Sequence, residues 1–270
     1  MTEPAGGQPT PRNVVVVGSG RSGTSLVAGL VATAGHHLGR HLVRANEANP
    51  KGFFEDYRTL LTNEKLLAPF TTELPSPRYS QRPIYPEPLR DLQRWLAVLW
   101  PEETVPPRPD LESAMRACLT AAPWCRKDPR FCHTLPAWEP LFGDALRICV
   151  FREPNRTANS MVSLAARQRV KLSFEGALEV WASCYLQVLR RHRHTAEWLF
   201  VHYDQMLDGS GIPRLARAVG ASLDAGVVDP ALRRSPAAGR WPAAVDEIYQ
   251  ELCAAARFPD GQGRLRRSST

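Results

Sequence analysis

A three-layer α/β/α fold around a central parallel sheet, with a P-loop-like first turn, is predicted by three features of this 270-residue chain. The run Val14-Val15-Val16-Val17 is apolar without alternation, as in a strand covered on both faces, and it enters the glycine loop Gly18-Ser19-Gly20-Arg21-Ser22-Gly23 and then a helix. Short apolar runs at Trp124-Cys125-Arg126-Lys127, Leu146 to Phe151 and Trp198 to Val201 are separated by helical stretches, the βαβ rhythm of a parallel sheet. The length suits one large domain, expected over 13–257, between flexible ends at 1–12 and 258–270.

Punctuation residues set the elements in order. A first strand at 13–18 feeds a helix from Thr24 to Ala34, closed by Gly35 as C-cap. A polar loop carries Asn49-Pro50-Lys51-Gly52-Phe53-Phe54-Glu55-Asp56 into a helix from Tyr57 to Leu67. From Pro69 to Pro88, six prolines stand among few apolar residues, too rigid and polar for a core element, so this stretch reads as a surface excursion or lid. Helices are expected at 88–99 and 110–121, on either side of a proline-rich linker from Pro101 to Pro109. The long helix from Phe174 to Thr195 carries Trp181, Tyr185 and Leu189 at helical spacing, which reads as core; Arg190-Arg191-His192-Arg193-His194 reads as a cationic helix end complementing the dipole.

The glycine loop carries the first chemical signal. Glycines let backbone N–H groups crowd round a phosphate while the following helix points its positive end at it. A triphosphate-binding loop would place lysine after the second glycine and a magnesium-binding hydroxyl next; here Thr24 holds the lysine position and the loop's cation is Arg21. A cradle sized for one phosphate follows. The same glycines match a dinucleotide fingerprint, but no hydrophobic strand ends in an acid some 20 residues on; the first acid after the helix is Glu47. A second signal stands at the end of the Leu146–Phe151 run, where Arg152 is followed eight residues later by Ser160 inside a helix. An arginine at a strand's carboxyl end faces the crevice where open α/β sheets bind ligands, and a serine two turns into the next helix can return to it and grip an anion. An arginine paired on the surface and a solvated serine are the competing reading.

Composition excludes several classes. The net charge is +7, and of 34 basic residues only Lys51, Lys65, Lys127 and Lys171 are lysines. The charge would help attract an anionic substrate, but no basic run carries the interleaved aromatics of a nucleic-acid surface. Cys118, Cys125, Cys132, Cys149, Cys184 and Cys253 form neither CxxC pairs nor a dense framework and read as reduced, buried thiols in a cytoplasmic protein. Residues 1–12 are polar with no leader pattern, and the valine run is too short to span a bilayer. No Asp/Glu/His grouping has metal-ligand spacing, so no metal is expected.

With Gly20-Arg21-Ser22-Gly23-Thr24-Ser25 in the first loop and Arg152 and Ser160 at Arg-x7-Ser spacing, the chain resembles the sulfotransferase family that uses 3′-phosphoadenosine-5′-phosphosulfate (PAPS) and releases 3′,5′-diphosphoadenosine (PAP). The resemblance implies that the first segment holds the 5′-phosphosulfate and the second the 3′-phosphate. Arg126-Lys127-Asp128-Pro129-Arg130 is similar to the Lys-Asp-Pro strand end of tyrosylprotein-type and many bacterial members, and Val201-His202-Tyr203-Asp204 to the strand whose tyrosine lies beside the nucleotide. The likeness runs from about Asn13 to about Gly220; Gly261-Gln262-Gly263-Arg264 is a poor counterpart of the glycine-and-basic segment that closes over the 3′-phosphate in some relatives.

Sulfuryl transfer, like phosphoryl transfer, depends mostly on aligning the nucleophile and stabilising charge on the leaving oxygen. Arg21 matches the family's loop cation, expected on the leaving 5′-phosphate, and Lys127 is expected on the sulfonate. An arginine cannot give up its proton, so a separate group must accept the acceptor hydroxyl's proton. Glu55, where tyrosylprotein-type relatives place a carboxylate, is that candidate; His36, His37 and His41 are the alternative base. Lys127 pairing with Asp128, and Glu55 capping the next helix, are the structural alternatives. The expected acceptor is a hydroxyl of a small molecule or glycoconjugate, shaped by 69–109. A kinase using ATP and magnesium and a catalytically silent scaffold are the rival functions, and the chain carries no signal of oligomeric state.

Overall fold

The computed structural model describes residues 11–47, 49–232 and 236–259, so the expectations for the chain ends, Gly261-Gln262-Gly263-Arg264 among them, lie almost wholly outside the described residues. Four parallel strands, β1 (Val14–Val17), β2 (Cys125–Lys127), β3 (Leu146–Phe151) and β4 (Trp198–His202), form one sheet in the order β2-β1-β3-β4. Val14 stands opposite both Cys125 and Leu146, so β1 is an interior strand. Alternate residues feed two cores. Val14, Val16, Ile148 and Val150 pack with Val27, Leu30 and Val31 of α1 (Thr24–Ala32) and with Leu215 and Val219 of a later helix, Ile212–Val219. Val15, Val17, Cys149 and Phe151 pack with Phe131, Trp181 and Leu252 on the other side. Two covered faces are why the valine run shows no polar alternation, and the expected three-layer α/β/α arrangement is found.

Four helices follow α1 along the chain before the long one that opens at Phe174. These are α2 (Tyr57–Leu67), capped by Asp56, whose side chain accepts from Thr59 N–H at 3.2 Å; α3 (Pro109–Ala117); α4 (Phe131–Phe142); and α5 (Pro154–Arg167). Then come α6 (Phe174–Gln187), α7 (Tyr203–Leu207), α8 (Ile212–Val219) and α9 (Ala243–Ala256). All six cysteines are free and buried, and burial lifts the Cys125 thiol to about 12. Among the described residues no helix is long and apolar enough to cross a membrane.

The largest departures from expectation lie between α2 and α3. The helix expected at 88–99 is only a 3-10 turn at Arg94–Leu96, because Leu92 takes a left-handed φ of 67° and Arg94 is drawn to Glu64. Residues 95–100 are buried, as are Ile84 and Tyr85, so the proline-rich stretch supplies core side chains that its composition concealed. A polar stripe on α6 explains how an irregular backbone can be buried there. The Glu179 carboxylate accepts from the backbone N–H of Arg78, Tyr79 and Ser80 at 2.6–3.0 Å. Ser183 both accepts from Leu99 N–H and donates to its carbonyl, and the Gln187 amide donates to the carbonyls of Leu99, Trp100 and Glu103. Residues four apart lie on one helix face, and these three replace the ladder partners the segment lacks.

The expected long helix changes character at its end. Beyond Gln187 a π turn at Val188–His192 draws His192 inward, where its Nε2 lies 3.0 Å from the Cys132 carbonyl. Arg190 and Arg193 pair with Glu251 of α9. The cationic run is therefore partly a packing device, with His192 kept neutral by burial. Replacing Glu179 by alanine removes the shared acceptor of three part-buried backbone donors, and we expect a loss of about 1–3 kcal/mol, with a smaller loss for Glu179→Gln, read by urea denaturation.

Candidate active site

Each strand delivers one component to the crevice beyond the sheet's carboxyl edge. The loop after β1 brings Gly20 and Arg21, β2 ends on Lys127, β3 leads to Arg152, and β4 leads to Tyr203 at the start of α7. All of these line one cavity of about 680 Å³, together with Gly23, Thr24, Ser25, Glu55 and Ser160. Residues brought from five parts of the chain thus meet, as expected for ligand sites in parallel sheets.

Two close approaches shape the loop. A Cβ on Gly20 would stand 2.6 Å from the Trp95 ring, and one on Gly23 only 2.3 Å from the Tyr203 ring. Gly23 is also the left-handed N-cap of α1, at φ 95°. Glycine is required at both positions because aromatic rings occupy the space. Between them Arg21 holds a left-handed φ of 70°, a conformation that costs a non-glycine residue about 1–3 kcal/mol. Its Nε donates to the Ser160 hydroxyl at 3.0 Å, so the serine of the second constellation restrains the cation of the first. Burial lowers the Arg21 pKa, yet a guanidinium stays charged. Arg152 places its guanidinium 4.7 Å from the Tyr203 ring centre, a cation–π contact that ties β3 to β4.

Ser22 takes a different course from its neighbours. Its hydroxyl is buried 2.5 Å from that of Ser19, away from the cavity wall, and the Ser19 N–H donates to the Tyr185 hydroxyl. Tyr185 in turn donates to the Val150 carbonyl at 2.8 Å. Tyr185, read from the sequence as core, is thus also the pin that fixes the loop to β3. Ser25 donates to the Phe53 carbonyl, linking the loop to the segment that carries Glu55.

Glu55 and Lys127 form a buried ion pair at 2.5 Å. Lys127 therefore does not take Asp128 as partner; Asp128 and Glu64 hold Arg130 instead, at 3.1 and 2.6 Å. Nor does Glu55 cap α2, a task that Asp56 performs. Burial raises the Glu55 pKa above the ordinary carboxylate value, against the pull of Lys127. The three histidines lie outside the cavity wall: His36 is buried with its Nε2 2.7 Å from the Arg12 carbonyl, while His37 and His41 stand on the adjoining loop. The sequence reading missed Trp95, whose indole N–H donates to Gln168, and Arg130, although Arg130 closes the Lys127-Asp128-Pro129 motif.

Chemically, the cavity offers fixed cations around a tight backbone loop and one buried carboxylate beside them. Removing Lys127 leaves that carboxylate buried without a counter-charge. We expect Lys127→Met to cost about 3–5 kcal/mol near neutral pH and to raise the Glu55 pKa further. A carboxyl whose folded pKa is raised favours the folded state below its unfolded pKa and loses that contribution as pH rises through the folded value. The variant should therefore be most stable at low pH and weaken as pH rises, and adding Glu55→Gln should restore part of the loss; urea denaturation across pH checks both.

The sequence profile described as "Sulfotransferase family" matches residues 11–210. No curated protein matches the chain. Among solved structures, the sulfotransferase domain of the olefin synthase from Synechococcus PCC 7002 superposes with a TM-score of 0.51 at 17% identity, covering 93% of this chain and 98% of that one. A sulfotransferase from Alicyclobacillus acidocaldarius gives 0.46 at 12% identity, covering 94% and 98%. One from Mycobacterium tuberculosis gives 0.40 at 16%, covering 92% and 78%.

Proposed function

The chain belongs to the sulfotransferase family, and from that premise we propose that it moves the sulfuryl group of PAPS to a hydroxyl of a small molecule or glycoconjugate, releasing PAP. The observation that carries this reading is Arg21, strained at the apex of the glycine loop and restrained by Ser160, in the same cavity as the buried Glu55–Lys127 pair. The residues fit such a donor. The aromatic rings packed on Gly20 and Gly23 hold the loop in one shape at the start of α1, where a helix N-terminus suits an anion, and Thr24 in the lysine position disfavours a triphosphate.

In this proposal the backbone around Gly20–Ser25 and the Thr24 and Ser25 hydroxyls hold the 5′-phosphosulfate, Ser22 contributing backbone only. Arg152 and Ser160 hold the 3′-phosphate, and Tyr203 lies beside the nucleotide. The bound donor supplies an activated sulfuryl group. Glu55 accepts the acceptor's hydroxyl proton as that oxygen bonds to sulfur and the sulfur–oxygen bond to the 5′-phosphate breaks. Arg21 stabilises charge on the departing phosphate oxygen; Lys127 orients Glu55 and, once that carboxylate takes the proton and loses its charge, faces the sulfonate. The 69–109 segment contributes Leu92 and Trp95 to the acceptor side.

Arg21→Ala should lower transfer from labelled PAPS by roughly 10²–10³-fold while PAP still raises the melting temperature more than ATP with magnesium does; the reverse ligand preference would favour a kinase. Turnover should rise with pH through the raised Glu55 pKa, placing the acid limb of kcat above the ordinary carboxylate range of about 4.3. Glu55→Gln should lose that limb and about 10²–10⁴-fold in rate. An unchanged limb would remove Glu55 as the base.

A further inference from the structure

We infer that the acceptor is an alcohol or phenol whose hydroxyl is carried on an extended apolar skeleton. This rests on the sulfuryl-transfer reading and narrows its acceptor. Val43, Tyr57, Leu60, Leu92 and Trp95 give the cavity that holds Glu55 an apolar part of its lining, beside the polar Asn46, Glu47, Asn49 and Lys51 of the preceding loop. The cations on this side are already matched, Lys127 by Glu55 and Arg130 by Asp128 and Glu64, and the Trp95 indole N–H is bound to Gln168. A sugar needs several convergent hydrogen-bonding groups; in the apolar part only Tyr57 offers a hydroxyl, and in the preceding loop Asn49 bonds Ser25, Lys51 the Val227 carbonyl and Glu47 pairs with Arg167.

The apolar wall continues out of the cavity. Four of the large hydrophobic side chains exposed on the described surface are Leu42, Tyr57, Leu61 and Leu92, at 42, 45, 39 and 45% exposure. Tyr57 and Leu61 are four residues apart on one face of α2, and Leu42 is bridged to Asp56 beside Tyr57. Leu92 is fastened to the same face, its N–H donating to Glu64 at 2.9 Å. Its left-handed backbone is held by that bond and by the turn that seats Arg94. Exposed apolar side chains continuous with a cavity mark a ligand groove, and its inner end is the carboxylate that would take the hydroxyl's proton. The hydroxyl lies at Glu55, the first ring or chain segment against Leu60 and Trp95, and the remainder along Tyr57, Leu61 and Leu92.

The test is calorimetric binding of 4-alkylphenols of increasing chain length to the full chain saturated with PAP, beside N-acetylglucosamine and a tyrosine-containing peptide. Affinity should rise about two- to fourfold per methylene, and Leu61→Ser and Leu92→Ser should flatten that slope. Leu74→Ser, at an exposed leucine outside the cavity wall, should leave it unchanged. A flat series, tighter binding of the sugar or peptide, or equal effects of all three serine variants would overturn the inference. Should PAP fail to bind while the alkylphenol slope persists without it, the sulfuryl-donor reading fails and the apolar groove stands.

Discussion

A lysine and a glutamate, both nearly sealed from water, meet at 2.5 Å where the second strand ends and the second helix begins. Much of the catalytic edge is organised by that contact and its continuation. From Lys127 and Glu55 the charged seam runs through Asp128 and Arg130 to Glu64 and on to Arg94, so β2, α2 and the irregular segment before α3 are held in one register. Such a seam stabilises little by itself, because every member must first be taken out of water. Its effect is geometric. When each charge has its partner, any shift of one element leaves another buried charge unmatched.

The seam also separates two kinds of surface within one cavity. On one side the Arg21 guanidinium meets the Ser160 hydroxyl and Arg152 lies against the Tyr203 ring. On the other side Lys127 and Arg130 are matched by carboxylates, and the wall turns to leucine and tryptophan. The cavity thus has arginines from the glycine loop and from the end of β3 on one side, and carboxylate-paired cations beside apolar side chains on the other. The strain at Arg21 and the crowding at Gly20 and Gly23 belong to the same scheme: a loop pressed between Trp95, Tyr203 and Tyr185 has little freedom to relax away from a ligand.

Much of this was legible in the chain. The unbroken valine run, the glycines that follow it, and the apolar runs ending on Lys127 and just before Arg152 identify a parallel sheet and its ligand edge, because a strand buried on both faces and a loop that must turn tightly each restrict residue choice locally. The residues singled out as candidates, Ser22 and the histidines excepted, meet in one cavity. Less legible was the proline-rich stretch, where local composition argued for solvent and a polar stripe on α6 buried it. Glu179, Ser183 and Gln187 stand at four-residue intervals in an otherwise apolar helix, a signal in principle, but which backbone they hold depends on a segment roughly 80–100 residues earlier in the chain.

By itself, then, the sequence determined the sheet, the glycine loop and the identity of the cations, since these follow from rules that act within a few residues. The tertiary structure alone decided the pairings: Lys127 with Glu55 and not Asp128, Asp56 and not Glu55 as the cap of α2, Ser160 on Arg21, and Tyr185 beneath the loop. Several partners lay within reach of each of these groups along the chain. Burial made the choice among them, because once water is excluded only the arrangement that matches every charge and donor together is low in free energy.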